Sequence, residues 1–305
     1  MSNIETAINE LRRALPVLEL RESEPMSAHC SFRIGGSVRA MLLPSSAAEL
    51  AAALETLARM GVEPLVFGRC TNLLVTDAPI ERVAVKLDEG MSEIEQTSET
   101  ELYAGAGAPL ARIAQRAQSL GLAGLEFAAG IPGSLGGAVS MNAGAYGGEM
   151  KDVLARADYL TAAGVSGQRS GAELELSYRR SAFTGTDGII TGALLRLTPG
   201  DPETIGARIR ELGEKRRASQ PLDMPSAGST FKRPVGGYAA ALIDEAGLKG
   251  FAIGGAQVSE KHAGFVVNRG GATFEDVLAL MEHIKNTVFE RTGVELEPEV
   301  KIIRG

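Results

Sequence analysis

A chain of 305 residues, 44% hydrophobic and 23% charged, has the composition of an ordinary soluble globular protein and is long enough for about two domains. Its formal net charge of -7 excludes the basic surplus of a nucleic-acid binder, so an anionic ligand would need a local basic cluster. Two cysteines, Cys30 and Cys70, and three scattered histidines, His29, His262 and His283, offer neither a disulfide framework nor metal-ligand spacing; reduced thiols and no metal are the expectation.

Ile4, Ile8, Leu11, Leu15 and Leu18 recur at helical spacing between charged residues, which predicts an amphipathic helix and not a signal peptide. No apolar run reaches the roughly 18 residues of a membrane span. Val38–Pro44 reads as a strand. Ser46 with Glu49 is a capping-box pattern opening a helix over Ala47–Met60, and Pro64–Phe67 completes a βαβ unit. Strands are predicted over Leu73–Thr76, Val83–Leu87 and Glu101–Ala104, and a helix over Pro109–Leu120. After the glycine-rich, low-charge stretch Gly124–Met150, strands are expected over Val153–Leu160 and Gly188–Leu197. Asp201-Pro202 opens a helix running to about Ser219, whose end carries the basic run Lys215-Arg216-Arg217. Gln220–Pro234 reads as a polar loop, Ala239–Ala246 as a helix, Phe265–Asn268 as a strand, and Thr273–Arg291 as a long capped helix ended by Gly293. Val294–Ile303 alternates with period two, a half-buried strand with Pro298 at an edge or bulge.

The usual nucleotide signatures are missing. Gly105 and Gly107 begin a G-x-G, but Leu110 stands where the third glycine belongs, and there is no P-loop. Two glycine-containing loops remain. Gly68-Arg69-Cys70-Thr71-Asn72 follows a strand, and Gly130 to Val139 is poor in side-chain bulk. Backbone N–H groups in such turns form anion-binding nests, and a helix starting near Ser134 would add its positive end. Ordinary tight turns explain each loop on spacing alone about as well.

Six segments, in order, resemble the MurB family of UDP-N-acetylenolpyruvoylglucosamine reductases. They are Arg33-Ile34-Gly35-Gly36; Gly68 to Leu74; Gly124-Leu125-Glu126-Phe127 through Ala145-Tyr146; Ser177-Tyr178-Arg179-Arg180-Ser181; Gly228-Ser229-Thr230-Phe231-Lys232; and Leu296-Glu297-Pro298-Glu299-Val300. The resemblance implies an α+β chain: a two-subdomain FAD-binding fold of the vanillyl-alcohol-oxidase (PCMH) type plus a C-terminal α+β substrate-binding domain. In this chain that gives an N-terminal helix over 1–20, an FAD domain over 21–200 (subdomains about 21–80 and 81–200), and a substrate domain over 201–305.

It further implies non-covalent FAD, held by Gly68, Arg69, Cys70, Thr71, Asn72 and Leu73 together with Gly130, Ile131, Pro132, Gly133, Ser134, Gly136, Gly137, Asn142, Gly144 and Ala145. NADPH would donate hydride to the flavin, which would pass it to the double bond of UDP-N-acetylglucosamine enolpyruvate, giving UDP-N-acetylmuramate for peptidoglycan synthesis in the cytoplasm. Arg179 is the expected carboxylate-binding cation, Ser229 the proton donor, and Glu299 its helper with Lys232; Tyr178, Lys232 and Arg233 are the expected substrate contacts. Periodicity alone does not separate Glu299 from Glu295 and Glu297. His262 is expected to be structural or to support the site from behind the residues that touch the substrate. Two positions depart from the family pattern: Cys70 stands where glycine is usual, and Arg233 where asparagine is frequent. The short stretch before Asp201 matches the family subtype without an extra tyrosine loop. The competing reading is another FAD-dependent oxidoreductase of the same superfamily, acting on an alcohol or sugar.

Overall fold

The computed structural model describes residues 2–305. In chain order the elements are α1 (Asn3–Ala14), β1 (Glu19–Pro25), β2 (Ser37–Leu43), α2 (Ala47–Arg59), β3 (Leu65–Phe67), β4 (Leu73–Val75), β5 (Ile80–Lys86), β6 (Ile94–Ser98), β7 (Glu101–Gly105), α3 (Leu110–Ser119), β8 (Leu122–Ala123), α4 (Leu135–Ser140), β9 (Gly144–Ala145), β10 (Gly148–Glu149), β11 (Leu154–Leu160), β12 (Ser166–Ser170), β13 (Ile189–Arg196), β14 (Thr198–Pro199), α5 (Pro202–Ser219), β15 (Ser226–Ser229), α6 (Ala239–Glu245), β16 (Ala252–Ile253), β17 (Ala256–Val258), β18 (Phe265–Asn268), α7 (Phe274–Thr292) and β19 (Lys301–Ile303). The class is α+β, as the resemblance implies. No helix among the described residues is long and apolar enough to cross a membrane.

The chain divides into two compact units, residues 1–22, 39–69 and 82–215, and residues 23–38, 70–81 and 216–305. The first unit holds a sheet of order β1-β2-β5-β3 and a five-stranded antiparallel sheet of order β12-β11-β13-β7-β6. β5 lies between β2 and β3, pairing with β3 in parallel. α1 turns Ala7, Ile8 and Leu11 inward, and Ser2 caps it through the Glu5 N–H. Ser46 caps α2 as expected, but the Glu49 carboxylate bonds the Ser45 N–H and hydroxyl, not the backbone of the cap residue. One apolar core gathers Leu42, Leu54, Val85, Leu102, Ile113, Leu135 and Leu195.

The second unit is built around a sheet of order β15-β18-β17-β16, with β4 and β19 paired in parallel. Its core joins Phe32, Ile34 and Leu74 to Phe231, Ile243, Leu280 and Ile284. α7 starts at Thr273, whose hydroxyl accepts from the Asp276 N–H, and stops at Gly293 with a φ of 69°. The long C-terminal strand expected over Val294–Ile303 is only β19. Pro298 forms an isolated bridge to Phe231, and the backbone before it is irregular. Proline has no N–H to donate, so a ladder through it breaks.

Candidate active site

The two glycine-bearing loops meet within the first unit. A Cβ built on Gly68 would lie 2.3 Å from Ser134 Oγ. Ser134 is the residue before α4, yet its hydroxyl caps nothing, is buried, and has no hydrogen-bond partner. A buried hydroxyl without a partner costs free energy, so this atom is suited to a polar ligand. The glycine opposite lets the two loops come this close, since a Cβ there would collide with the hydroxyl. That is the chemistry a phosphate-bearing cofactor such as FAD demands, and the residues fit it. Gly130, Pro132 and Gly137 are exposed along the same loop, with Ile131 and Gly133 partly covered.

Other glycines of the segment are explained by packing. Gly136 N–H donates to Ala106 O at 2.9 Å, and a Cβ on Gly136 would stand 3.0 Å from that of Ala106. Gly144 faces Gly148 O and Glu149 across the hairpin of β9 and β10. Ala145 precedes the turn of that hairpin, whose central residues Tyr146 and Gly147 have φ values of 54° and 91°, the double positive φ that suits a two-residue hairpin.

Asn142 is buried, with a φ of 44°. Its amide is spent on protein groups: Nδ2 donates to Glu149 Oε2 at 2.7 Å and to Ser177 O at 3.0 Å, and Oδ1 accepts from Lys151 N–H at 2.9 Å. Ser177 begins a four-residue turn closed by reciprocal backbone bonds with Arg180. Tyr178 and Arg179 occupy its tip. Tyr178 is 52% exposed, and the Arg179 guanidinium lies 5.4 Å from its ring centroid. Arg179 has a φ of 55°, at a turn position where glycine or asparagine is normally required.

Within the second unit, the other predicted residues come together. Residues 230–232 run beside 297–299: Glu299 N–H donates to Thr230 O at 2.8 Å and Lys232 N–H to Glu297 O at 2.9 Å. Ser229, at the end of β15, pairs with Phe265 across a bulge. Asn72 Nδ2 donates to Glu299 O at 3.1 Å, while Asn72 O accepts from Lys301 N–H at 3.0 Å. The Asn72 side chain therefore fixes the segment that carries the candidate acid helper. Glu299 is partly buried, whereas Glu295 and Glu297 are exposed, which separates three carboxylates that periodicity left equivalent. Lys232 forms an exposed ion pair with Glu297 at 3.0 Å, an interaction of small worth in water. Arg233 stacks over Tyr238 at 4.4 Å.

The loop Gly68 to Asn72 passes from one unit to the other between Arg69, which is exposed, and Cys70, which is buried with a φ of 51°. Thr71 is partly covered, and Leu73 begins β4. His262 is a structural neighbour, as expected. Its Nδ1 accepts from Gly264 N–H at 3.1 Å, its ring packs on Phe265, and burial lowers its pKa. Sequence reasoning missed Ser181 and the orienting work of Asn142. Both make hydrogen bonds between segments far apart in sequence, Asn142 to Ser177 O and Ser181 to Ser140 O, and the only signal was their place within the family-like segments.

An FAD-binding domain model matches residues 38–166, and a model described as UDP-N-acetylenolpyruvoylglucosamine reductase, C-terminal domain, matches residues 220–303. Fold and site thus define an FAD-dependent oxidoreductase. The chain is 45% identical, over 97% of its length and 98% of the relative, to UDP-N-acetylenolpyruvoylglucosamine reductase of Syntrophomonas wolfei. It is 46% identical to the protein of that name in Agathobacter rectalis, with 98% of each chain covered. Its fold matches the crystal structure of UDP-N-acetylenolpyruvylglucosamine reductase (MurB) from Thermus caldophilus with a TM-score of 0.80 at 33% identity, covering 94% of this chain and 99% of that one. The chain belongs to the UDP-N-acetylenolpyruvoylglucosamine reductase family.

Proposed function

We propose that this protein reduces UDP-N-acetylglucosamine enolpyruvate to UDP-N-acetylmuramate in the cytoplasm, with NADPH as hydride donor, for cell-wall synthesis. The observation that supports it most directly is Arg179, a long cation in a backbone conformation that penalises any side chain, on a turn anchored to the glycine-rich segment. Held by that segment and the Gly68 loop, FAD would supply the hydride chemistry between NADPH and the terminal methylene carbon of the enolpyruvyl group. Negative charge then spreads from the neighbouring carbon into the substrate carboxylate.

Arg179 meets that charge with a planar pair of N–H donors, which match a carboxylate bidentately. The Ser229 hydroxyl gives its proton to the neighbouring carbon and recovers one from solvent, with Glu299 holding the local proton. The net change is one hydride and one proton added across the double bond. Tyr178, Lys232 and Arg233 contact the sugar nucleotide; Arg233, whose guanidinium lies 4.4 Å from the Tyr238 ring centroid, can meet a phosphate. Ser134 and Gly68 hold the cofactor through the polar cradle described above, with Arg69 and the exposed residues 130, 132 and 137 beside it.

The test separates the two half-reactions. Purified protein is expected to be yellow and to lose its visible absorption when NADPH is added. Ser229→Ala should keep that bleaching, while the rate of colour return on adding the enolpyruvyl sugar nucleotide drops about a hundred- to ten-thousandfold, the usual worth of a positioned acid. An equal loss in both steps would remove Ser229 from the role of proton donor.

A further inference from the structure

Residue 179 is held where a Cβ is unwelcome, and such a conformation persists only when the surroundings over-determine it. The turn around it is closed by two backbone bonds, Ser177 N–H to Arg180 O at 3.0 Å and Arg180 N–H to Ser177 O at 3.1 Å. Alone, those bonds would be satisfied equally by a turn with other central torsions. Two side chains fasten its two ends to the segment that follows the cofactor loop. At the first end, Asn142 Nδ2 donates to Ser177 O. At the second, the buried Ser181 donates its hydroxyl proton to the carbonyl oxygen of Ser140, the last residue of α4, at 2.7 Å, while Ser181 Oγ accepts from Phe183 N–H at 3.2 Å. Thr184 reinforces the second end: its hydroxyl donates to Ser140 O at 2.9 Å and accepts from Ser181 N–H at 3.0 Å.

The chemistry at Asn142 is specific to an amide. One end must donate twice, to Glu149 Oε2 and Ser177 O, while the other accepts from Lys151 N–H. Aspartate could not donate to Ser177 O and would set a second carboxylate against Glu149. The Ser181 hydroxyl likewise both donates and accepts, so alanine would leave Ser140 O with the Thr184 bond alone and Phe183 N–H with no acceptor in its place.

We infer that Asn142 and Ser181 are positioning residues for Arg179: they fix the turn that aims the guanidinium, and so tie the direction of the substrate-gripping cation to the segment ending the cofactor cradle. The inference rests on the reading of Arg179 as the carboxylate-binding residue. It assigns Asn142, which family resemblance groups with the cofactor loop, a task performed on the substrate side through Ser177.

The test is a double-mutant cycle on the FAD-loaded protein. Asn142→Asp, Ser181→Ala and Ser181→Thr are made alone and on an Arg179→Ala background. Binding of the product UDP-N-acetylmuramate is measured by calorimetry, and kcat/KM for the enolpyruvyl substrate in parallel. Asn142→Asp and Ser181→Ala should each weaken product binding about tenfold, the scale of a lost buried hydrogen bond. Ser181→Thr, which keeps the hydroxyl, should recover most of it. On the Arg179→Ala background those losses should vanish, because nothing remains to be aimed. Losses that simply multiply would overturn the inference and leave both side chains as general supports. Product binding unaffected by Arg179→Ala alone would overturn the carboxylate-binding reading, and the inference with it. Should Asn142→Asp fail to fold, the Ser181 pair carries the test.

Discussion

Cys70 stands where the family pattern quoted for this loop would place glycine, and its backbone gives a reason for that expectation. With a φ of 51° the residue occupies the left-handed region, which costs a side chain about 1–2 kcal/mol and glycine almost nothing. The Cys70 side chain is buried, which returns a comparable amount. Cys70→Gly should therefore change stability by less than about 1 kcal/mol, while Cys70→Val, branched at Cβ, should lose about 2 kcal/mol or more; urea midpoints of the two variants decide. His262 gives a pH signature. Burial, the dominant cause, pulls its pKa below the ordinary 6.5, and its Nδ1 must stay unprotonated to accept from Gly264 N–H. The folded state then binds fewer protons than the unfolded chain below that value, so this contribution is complete above about pH 6.5 and fades as pH falls towards the folded pKa. His262→Asn keeps an acceptor but cannot titrate. Its melting temperature should fall less steeply with acidification below pH 6.5 than that of the parent.

At the level of elements, the glycine pairs of the sequence divide into cradle and packing. Gly105 and Gly107 read as a failed dinucleotide fingerprint, and the structure supplies their purpose. A Cβ on Gly107 would lie 2.0 Å from Asp88 O, and one on Gly105 2.4 Å from Met91 O. Backbone cannot swing aside like a side chain, so Gly107→Ala should cost about 2–3 kcal/mol, seen as a lower urea midpoint at unchanged slope. The strongly patterned elements were legible: α2, α3, α7, β11 and β13 lie within a residue or two of expectation, while α1 forms but stops short of Leu15 and Leu18. β6, β12 and β15 were not. β6 and β12 sit at the edges of their sheet with mostly exposed residues, so they lack the apolar alternation that marks a half-buried strand. β15 is Ser-Ala-Gly-Ser, read as a polar loop because its pairing is set by β18 and not by its own side chains. The same limit applied to the candidate site. Motifs brought Arg179 and Ser229 forward, but the positive φ of Arg179 and the clamps from Asn72 and Asn142 arise from tertiary hydrogen bonds, which leave no periodic trace.

Across the whole chain, sequence order and spatial order part company. The second unit draws on residues 23–38 and 70–81 as well as 216–305. Phe32, Ile34 and Leu74, each no more than 2% exposed, belong to its core, and Asn268 Nδ2 donates to Phe32 O at 3.1 Å. A fragment of residues 201–305 would lack those three side chains, worth about 2 kcal/mol of burial apiece, and the partner strand of β19. Expressed alone, it should show no cooperative thermal transition by circular dichroism. A sharp melt matching the intact protein would contradict this.

The parallel pairing of β4 with β19 couples residues 73–75 to residues 301–303, over two hundred positions later. During synthesis, β4 leaves the ribosome early and waits with one hydrogen-bonding edge open until β19 emerges. Parallel pairing at such separation forms slowly, and an open edge invites pairing with other chains. Nascent chains stalled before β19 is made would therefore be the aggregation-prone species, and a deletion of residues 301–303 would extend that exposure for the lifetime of the molecule.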